Sequence, residues 1–215
     1  GLSFDEQRMS QQLREHINDL RRQLKAENQV LNDLKKNMKK QMDIAEEKRR
    51  RVEVKLAQVQ PALDEATAGL SAVKEEQLYE VRSYTTPPPT VAKVMTCVLV
   101  LLGEPEKKAV IWDTITGFLR RKDFIPMVRD FDPHNVSDGD RLQAKRLAYD
   151  KNLTVERAEQ ASRAAAPLLR WVLAMIGYVE VLQSIRPLEA ELARLNQEIA
   201  VMRTEVDQRS SVGGI

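Results

Sequence analysis

Tyr84-Thr85-Thr86-Pro87-Pro88-Pro89 decides the fold of this chain, because a long helix cannot run through it. Each proline lacks a backbone N–H and pushes the residue before it out of the helical region. Upstream, apolar residues fall at Leu13, Ile17, Leu20, Leu24, Leu31, Leu34 and Met38, and continue through Met42, Ala45, Val52, Leu56, Val59, Leu63, Ala66, Leu70 and Val73. These alternating steps of three and four mark the seam of a coiled coil. A second, cleaner repeat runs through Trp171, Ala174, Tyr178, Val181, Ile185, Leu188, Leu192, Leu195, Ile199, Met202 and Val206. Two heptad helices that leave and re-enter one block without heptads predict an all-α fold, an antiparallel coiled-coil hairpin capped by a small helical bundle. The expected divisions are 1–84 for the first arm, 85–180 for the bundle and 181–215 for the second arm.

The seam carries faults that bear on function. Glu27 and Arg49 occupy seam positions, and Leu34-Met38-Met42 takes two successive steps of four. Such a stutter locally unwinds a supercoil, so the seam is weakly specified through its middle. Each arm also holds one proline, Pro61 and Pro187, expected to bend or hinge its helix. At 1.5 Å per residue the first arm is about 90 Å long and the second about half that. The N-terminal part of the first arm therefore outruns its partner.

Between the arms, Pro87-Pro88-Pro89-Thr90 opens a mostly apolar helix from Val91 to Leu102, and Gly103-Glu104-Pro105-Glu106 ends it. Helical spacing recurs at Ile111, Trp112, Ile115, Phe118 and Leu119; a short element spans Phe124 to Phe131 and a polar helix spans Arg141 to Tyr149. A last helix begins near Val155 and carries Ala158, Ala161, Ala165 and Leu168 into the second arm. Trp112, Phe118, Phe124, Phe131, Leu168 and Trp171 are the expected core.

Composition agrees with long helices: 31% of the 215 residues are charged and 5% aromatic, and the net charge is +2. The single cysteine, Cys97, excludes an intrachain disulfide and suits a reducing compartment. Its apolar run, Val91 to Leu102, is too short to span a bilayer, so no membrane partner is expected. The polar residues Gly1 to Ser10 do not read as a signal peptide, and the chain reads as soluble and intracellular. Gly1 and the tail Ser210-Ser211-Val212-Gly213-Gly214-Ile215 read as fragment ends.

The motifs of catalysis and cofactor binding are missing. Gly103-Glu104-Pro105-Glu106-Lys107-Lys108 lacks the second glycine and the Ser/Thr of a phosphate loop. His16 and His134 stand far apart with no cysteine at metal-ligand spacing, and Asp130, Asp132, Asp138 and Asp140 fail the spacing of a calcium loop. No enzyme activity, cofactor or metal is expected of this chain. What remains is charge: from Arg82 to Arg186 there are 16 Lys/Arg against 12 Asp/Glu. The basic residues cluster at Lys107-Lys108, Arg120-Arg121-Lys122, Lys145-Arg146, and at Arg163 and Arg170, which one helix would place on one face. Such a patch suits an acidic partner met by fast, salt-sensitive association. Aromatics do not interleave with the clusters, which argues against base stacking and a nucleic-acid partner.

Taken in order, these segments resemble the stalk and microtubule-binding domain of dynein heavy chains. The resemblance runs from Val52 to Leu195. It is carried by Val59-Gln60-Pro61-Ala62-Leu63, Glu80-Val81-Arg82-Ser83 with Pro87-Pro88, and Val98-Leu99-Val100-Leu101-Leu102-Gly103. Trp112, Phe124-Ile125-Pro126, Phe131, Ala164-Ala165-Ala166-Pro167-Leu168-Leu169-Arg170-Trp171 and Arg186-Pro187-Leu188 complete it. The resemblance implies contact with α/β-tubulin of the microtubule through Lys93, Arg129, Arg163 and Arg170, with Arg120, Arg121 and Lys122 as steering charges. Position 92, where a basic residue is expected, is Ala92. The resemblance also implies that the stalk helices slide by about half a heptad to trade weak for strong affinity. It implies that the rest of the heavy chain, an ATPase built on an AAA+ ring, is a partner. The implied location is the cytoplasm, on microtubules, with the axoneme as the other setting. The competing reading is a structural coiled-coil rod protein with a helical interaction head.

Overall fold

The computed structural model describes residues 1–213, so Gly214 and Ile215 of the tail lie outside the described residues. Every regular element among the described residues is helical: α1 (Phe4–Gly69), α2 (Glu75–Arg82), α3 (Pro89–Leu101), α4 (Glu106–Ala109), α5 (Trp112–Leu119), α6 (Phe124–Arg129), α7 (Asp138–Ala148), α8 (Val155–Ala161) and α9 (Ala165–Gly213). Short 3₁₀ turns occupy Leu70–Ala72 and Pro133–Asn135. The chain divides into two compact units, one of Gly1–Arg51 with the chain from Pro187 onward, the other of Val52–Arg186.

In the first unit α1 and α9 run antiparallel, because ion pairs link Lys48 to Glu191 at 2.5 Å and Glu27 to Arg209 at 3.2 Å. Numbers that rise along one helix fall along the other. The seam is thin: Ala45, Leu195, Ile199 and Val206 are buried, flanked by half-buried Met38 and Leu192. Two seam positions differ from the heptad reading. Gln41 is half-buried where Met42 was expected, and Met42 is 40% exposed. Lys48 takes the seam position assigned to Arg49, which is exposed and turns back to Glu46 on its own helix. The buried stripe therefore steps Met38, Gln41, Ala45, Lys48, Val52, Leu56, and the double step of four falls at 48–52–56. A hydropathy rule cannot choose a glutamine or the stem of a lysine over a neighbouring methionine; the packed partner does.

The second unit holds the main core, in which Trp171, Phe124, Met95, Leu99, Leu101 and Leu168 are fully buried. Helix α3 is its axis, with α4, α5, α7 and α8 packed around it. Pro89 starts α3 at a position where its missing N–H costs nothing. Gly103, at φ +103°, ends it: Glu104 N donates to Leu99 O at 2.9 Å and Gly103 N to Val100 O at 3.0 Å, the paired closure that needs a left-handed residue. The buried hydroxyl of Thr96 donates to Ala109 O at 2.9 Å and so holds α4 on α3. Ion pairs Arg186–Asp138 and Lys145–Glu180 set α7 antiparallel to the start of α9. That start has the length and apolar composition of a membrane span, but Trp171, Val172, Met175, Ile176 and Val179 spend it on the core.

Both prolines lie inside continuous helices with exposed rings, Pro61 in α1 and Pro187 in α9, and the second unit ends at the residue before Pro187. The first long helix ends earlier than its heptads suggest. After Gly69 the backbone tightens to 3₁₀, then Val73 and Lys74 become extended before α2 begins. Leu70, Leu78 and Val81 remain buried across that break, so the apolar pattern continues where the helix does not.

Candidate functional site

The seven basic residues marked for partner binding sit on the second unit, and their surroundings separate them into two groups. Three hold a carboxylate. Lys93, one turn into α3, reaches Asp150 Oδ2 at 2.5 Å, just past the end of α7. Arg121 forks onto Asp123 with both contacts at 2.9 Å, and its guanidinium lies 5.9 Å from the Phe118 ring centroid. Arg129, the last residue of α6, forks onto neighbouring Asp130 at 3.0 and 3.2 Å. The pairing lysine and arginines hold the carboxyls of Asp150, Asp123 and Asp130 below the usual carboxylate range, chiefly through these hydrogen bonds. Asp150 is lowered further by the amide of Asn152.

The other four, Arg120, Lys122, Arg163 and Arg170, are exposed and lie within 4.0 Å of no carboxylate among the described residues. Arg120 caps the C-terminus of α5, and Lys122 follows in the link to α6. Arg170 lines a cleft of about 780 Å³ together with Glu65, Gly69 and Pro167. Arg163 corrects the reading that put it one heptad from Arg170 on one helical face. Helix α8 stops at Ala161, Ser162 is extended (φ −166°, ψ 138°), and α9 opens only at Ala165. Buried Ser162 accepts the Ala164 amide on its hydroxyl at 3.2 Å, a local bond that competes with the helical one. Arg163 therefore sits on the link, and only Arg170 is on α9.

Local chemistry fixes the frame that carries these charges. Trp112 Nε1 donates to Tyr84 O at 2.8 Å, tying the start of the proline segment to α5. Helix α6 packs against the 3₁₀ turn Leu70–Ala72. Ser137 and Thr154 cap α7 and α8 by accepting the amides of Asp140 and Arg157. Three of the four aspartates that stand near a calcium-loop pattern have other partners: Asp130 binds Arg129, Asp138 binds Arg186, and Asp132 accepts the His134 amide. No group of three or more metal-type ligands occurs among the described residues. Cys97 is buried against the Ala144 carbonyl, and burial pushes its thiol up to about 12, which leaves it unreactive. The pairs on Arg121 and Arg129 are legible in the sequence as acids one or two residues away. Asp150 is not, because it meets Lys93 only through the packing of α7 on α3.

Comparison with known proteins gives the chain a family. The family model described as the microtubule-binding stalk of dynein motor matches residues 19–210. A cytoplasmic dynein heavy chain of Drosophila melanogaster is 33% identical over 159 residues, 73% of this chain and 3% of the relative. That of Neurospora crassa is 31% identical over 198 residues, 91% of this chain and 4% of the relative. That of Saccharomyces cerevisiae is 34% identical over 154 residues, 70% of this chain and 4% of the relative. The chain thus spans only a few hundredths of the length of these relatives. A solved structure, the microtubule-binding domain of dynein-c, has the same fold at a TM-score of 0.53 and 23% identity, covering 63% of this chain and 94% of that one. By its two long helices, its proline-opened bundle and this match over most of its length, the chain belongs to the family of microtubule-binding stalks of dynein motors.

Proposed function

We propose that this chain binds α/β-tubulin on microtubules through Lys93, Arg120, Arg121, Lys122, Arg129, Arg163 and Arg170, and that the register of its two long helices sets the affinity. The observation that carries the first half is the set of exposed cations Arg120, Lys122, Arg163 and Arg170, which have no ion pair among the described residues, on a chain of this family. An acidic partner gains Coulomb energy from them without first displacing an internal carboxylate. Lys93, Arg121 and Arg129 join after exchanging surface pairs, which are individually weak. The second half is supported by the thin seam of the first unit, where Gln41 and the stem of Lys48 stand among few buried apolar residues. Such a seam resists displacement along its axis less than a packed core does.

On this reading the partners are the microtubule and the rest of a dynein heavy chain. The parent motor hydrolyses ATP outside this chain, and the location is the cytoplasm, on microtubules. Cosedimentation with microtubules across a salt series tests the surface. Binding should weaken as salt rises, and Arg163→Glu with Arg170→Glu should weaken it at least about tenfold. Unchanged binding by that double variant would sink the surface assignment, and no binding at low salt would favour the structural-rod reading. For the register, disulfides that lock α1 to α9 in two positions half a heptad apart, in a Cys97→Ala background, should give different affinities. Equal affinities would remove the sliding mechanism and leave the surface assignment standing.

A further inference from the structure

Basic residues of α1 occur in two runs whose surroundings differ. Lys48, Arg49, Arg50 and Arg51 are all paired, with Glu191, Glu46 and Glu47. Lys35, Lys36, Lys39 and Lys40 are all exposed and none has an ion pair among the described residues. Asp33, the acid nearest on the N-terminal side, is already taken by the amide of Gln29 at 3.0 Å. Lys35 with Lys39 and Lys36 with Lys40 are i,i+4 pairs of like charge, an arrangement that costs helix stability when nothing neutralises it. The half-buried seam residues Leu34, Met38 and Gln41 precede, interrupt and follow the lysines in sequence and share a different side of the helix, so the ammonium groups lie on the outward side.

We propose that this lysine face of α1 docks an extended, glutamate-rich peptide segment of a partner protein. Lysines four apart rise about 6 Å along a helix, and alternate residues of an extended peptide repeat at about 6.6 Å, so glutamates on one side of such a peptide meet successive lysines. Gln29, Asn32, Asp33, Lys35, Lys36 and Lys39 line a shallow recess of about 450 Å³; the Gln29 amide occupies the Asp33 carboxylate there, and the Asn32 amide is left beside the ammonium groups for the peptide backbone. Nucleic acid and membrane fit the face less well. It has no arginine to fork onto phosphate and no aromatic to stack on a base, and Met38, the apolar residue within the lysine run, is half-buried in the seam and not free to enter a lipid surface. The site is separate from the residues assigned to tubulin and does not depend on that assignment.

Fluorescence anisotropy with a labelled oligoglutamate peptide tests it directly. The peptide should bind at low salt, weakening about tenfold or more as the screening length falls from about 30 Å to about 8 Å. Replacing Lys35, Lys36, Lys39 and Lys40 by Gln, a residue of similar helix propensity, should cost at least about tenfold at unchanged helical circular dichroism. Replacing the same four by Arg should retain binding, and Arg49→Gln with Arg50→Gln and Arg51→Gln should change it less than about twofold. Peptide binding that survives the four Gln substitutions would overturn the proposal. So would a duplex oligonucleotide, or vesicles of phosphatidylserine, that outcompete the peptide on the wild-type face but not on the Gln variant.

Discussion

Both units are built from apolar stripes on helices, yet they bury those stripes to different extents. In the second, Phe124, Met95, Leu99 and Trp171 are wholly removed from solvent, each enclosed by side chains from several helices. In the first, burial is confined to a line of small contacts around Ala45, Leu195 and Ile199, and Leu13, Leu20 and Leu24 remain 50–59% exposed. A heptad stripe states which face of a helix is apolar. Whether that face is buried, and how firmly, depends on what stands opposite. A two-helix seam fixes each residue from one side, whereas a bundle fixes it from all sides. The bundle therefore holds each of its side chains more firmly than the seam holds its own.

The largest effect should come from the bundle. Phe124→Ala removes a fully buried ring at the start of α6, beside the Arg120–Lys122 segment, and should destabilise the second unit by about 3–5 kcal/mol in denaturant unfolding. Leu195→Ala in the seam should cost less, about 2 kcal/mol, at the low end for such a truncation because a shallow seam leaves no closed cavity. Native-state hydrogen exchange should localise the first loss to residues 52–186 and the second to the paired parts of α1 and α9. A seam substitution as costly as the ring deletion would erase the contrast between the units.

Smaller changes sharpen it. Thr96→Val keeps the shape of a buried side chain but removes the bond to the Ala109 carbonyl, and should cost about 1–2 kcal/mol and loosen amide protection in α4. The smallest effect concerns the charged surface. The Asp150 carboxyl is held below its ordinary value by Lys93, so their pair is intact above the usual carboxylate range and is lost as pH falls through that lowered value. Asp150→Asn should therefore make the Lys93 resonances insensitive to acid over that range, with no measurable change in melting temperature at neutral pH. On the proposed function it should also raise microtubule affinity modestly, since Lys93 no longer has an internal carboxylate to give up.

Much of this architecture is legible in the residues alone. Prolines 87–89 mark the entry to α3, Gly103 marks its end, and the spacing of Trp112, Ile115 and Leu119 marks α5. Both long helices and the helical class follow from periodicity, because an amphipathic stripe has one favourable secondary structure. The breaks at Gly69–Lys74 and at Ser162 are much less legible. At the first, buried Leu70, Leu78 and Val81 keep an apolar rhythm across a backbone that has left the helix. At the second, an alanine-rich run looks helical until the hydroxyl of Ser162 is seen to hold the Ala164 amide.

The helical class, the place of the proline entry and the residues that carry charge can all be read from the residues, since each depends on local backbone chemistry or on composition. Packing settles that Lys48 and not Arg49 enters the seam, and that Asp150 meets Lys93. The reason is physical: which of two adjacent side chains is buried, and which distant acid reaches a base, are set by the surface packed against them and leave no mark in their own spacing.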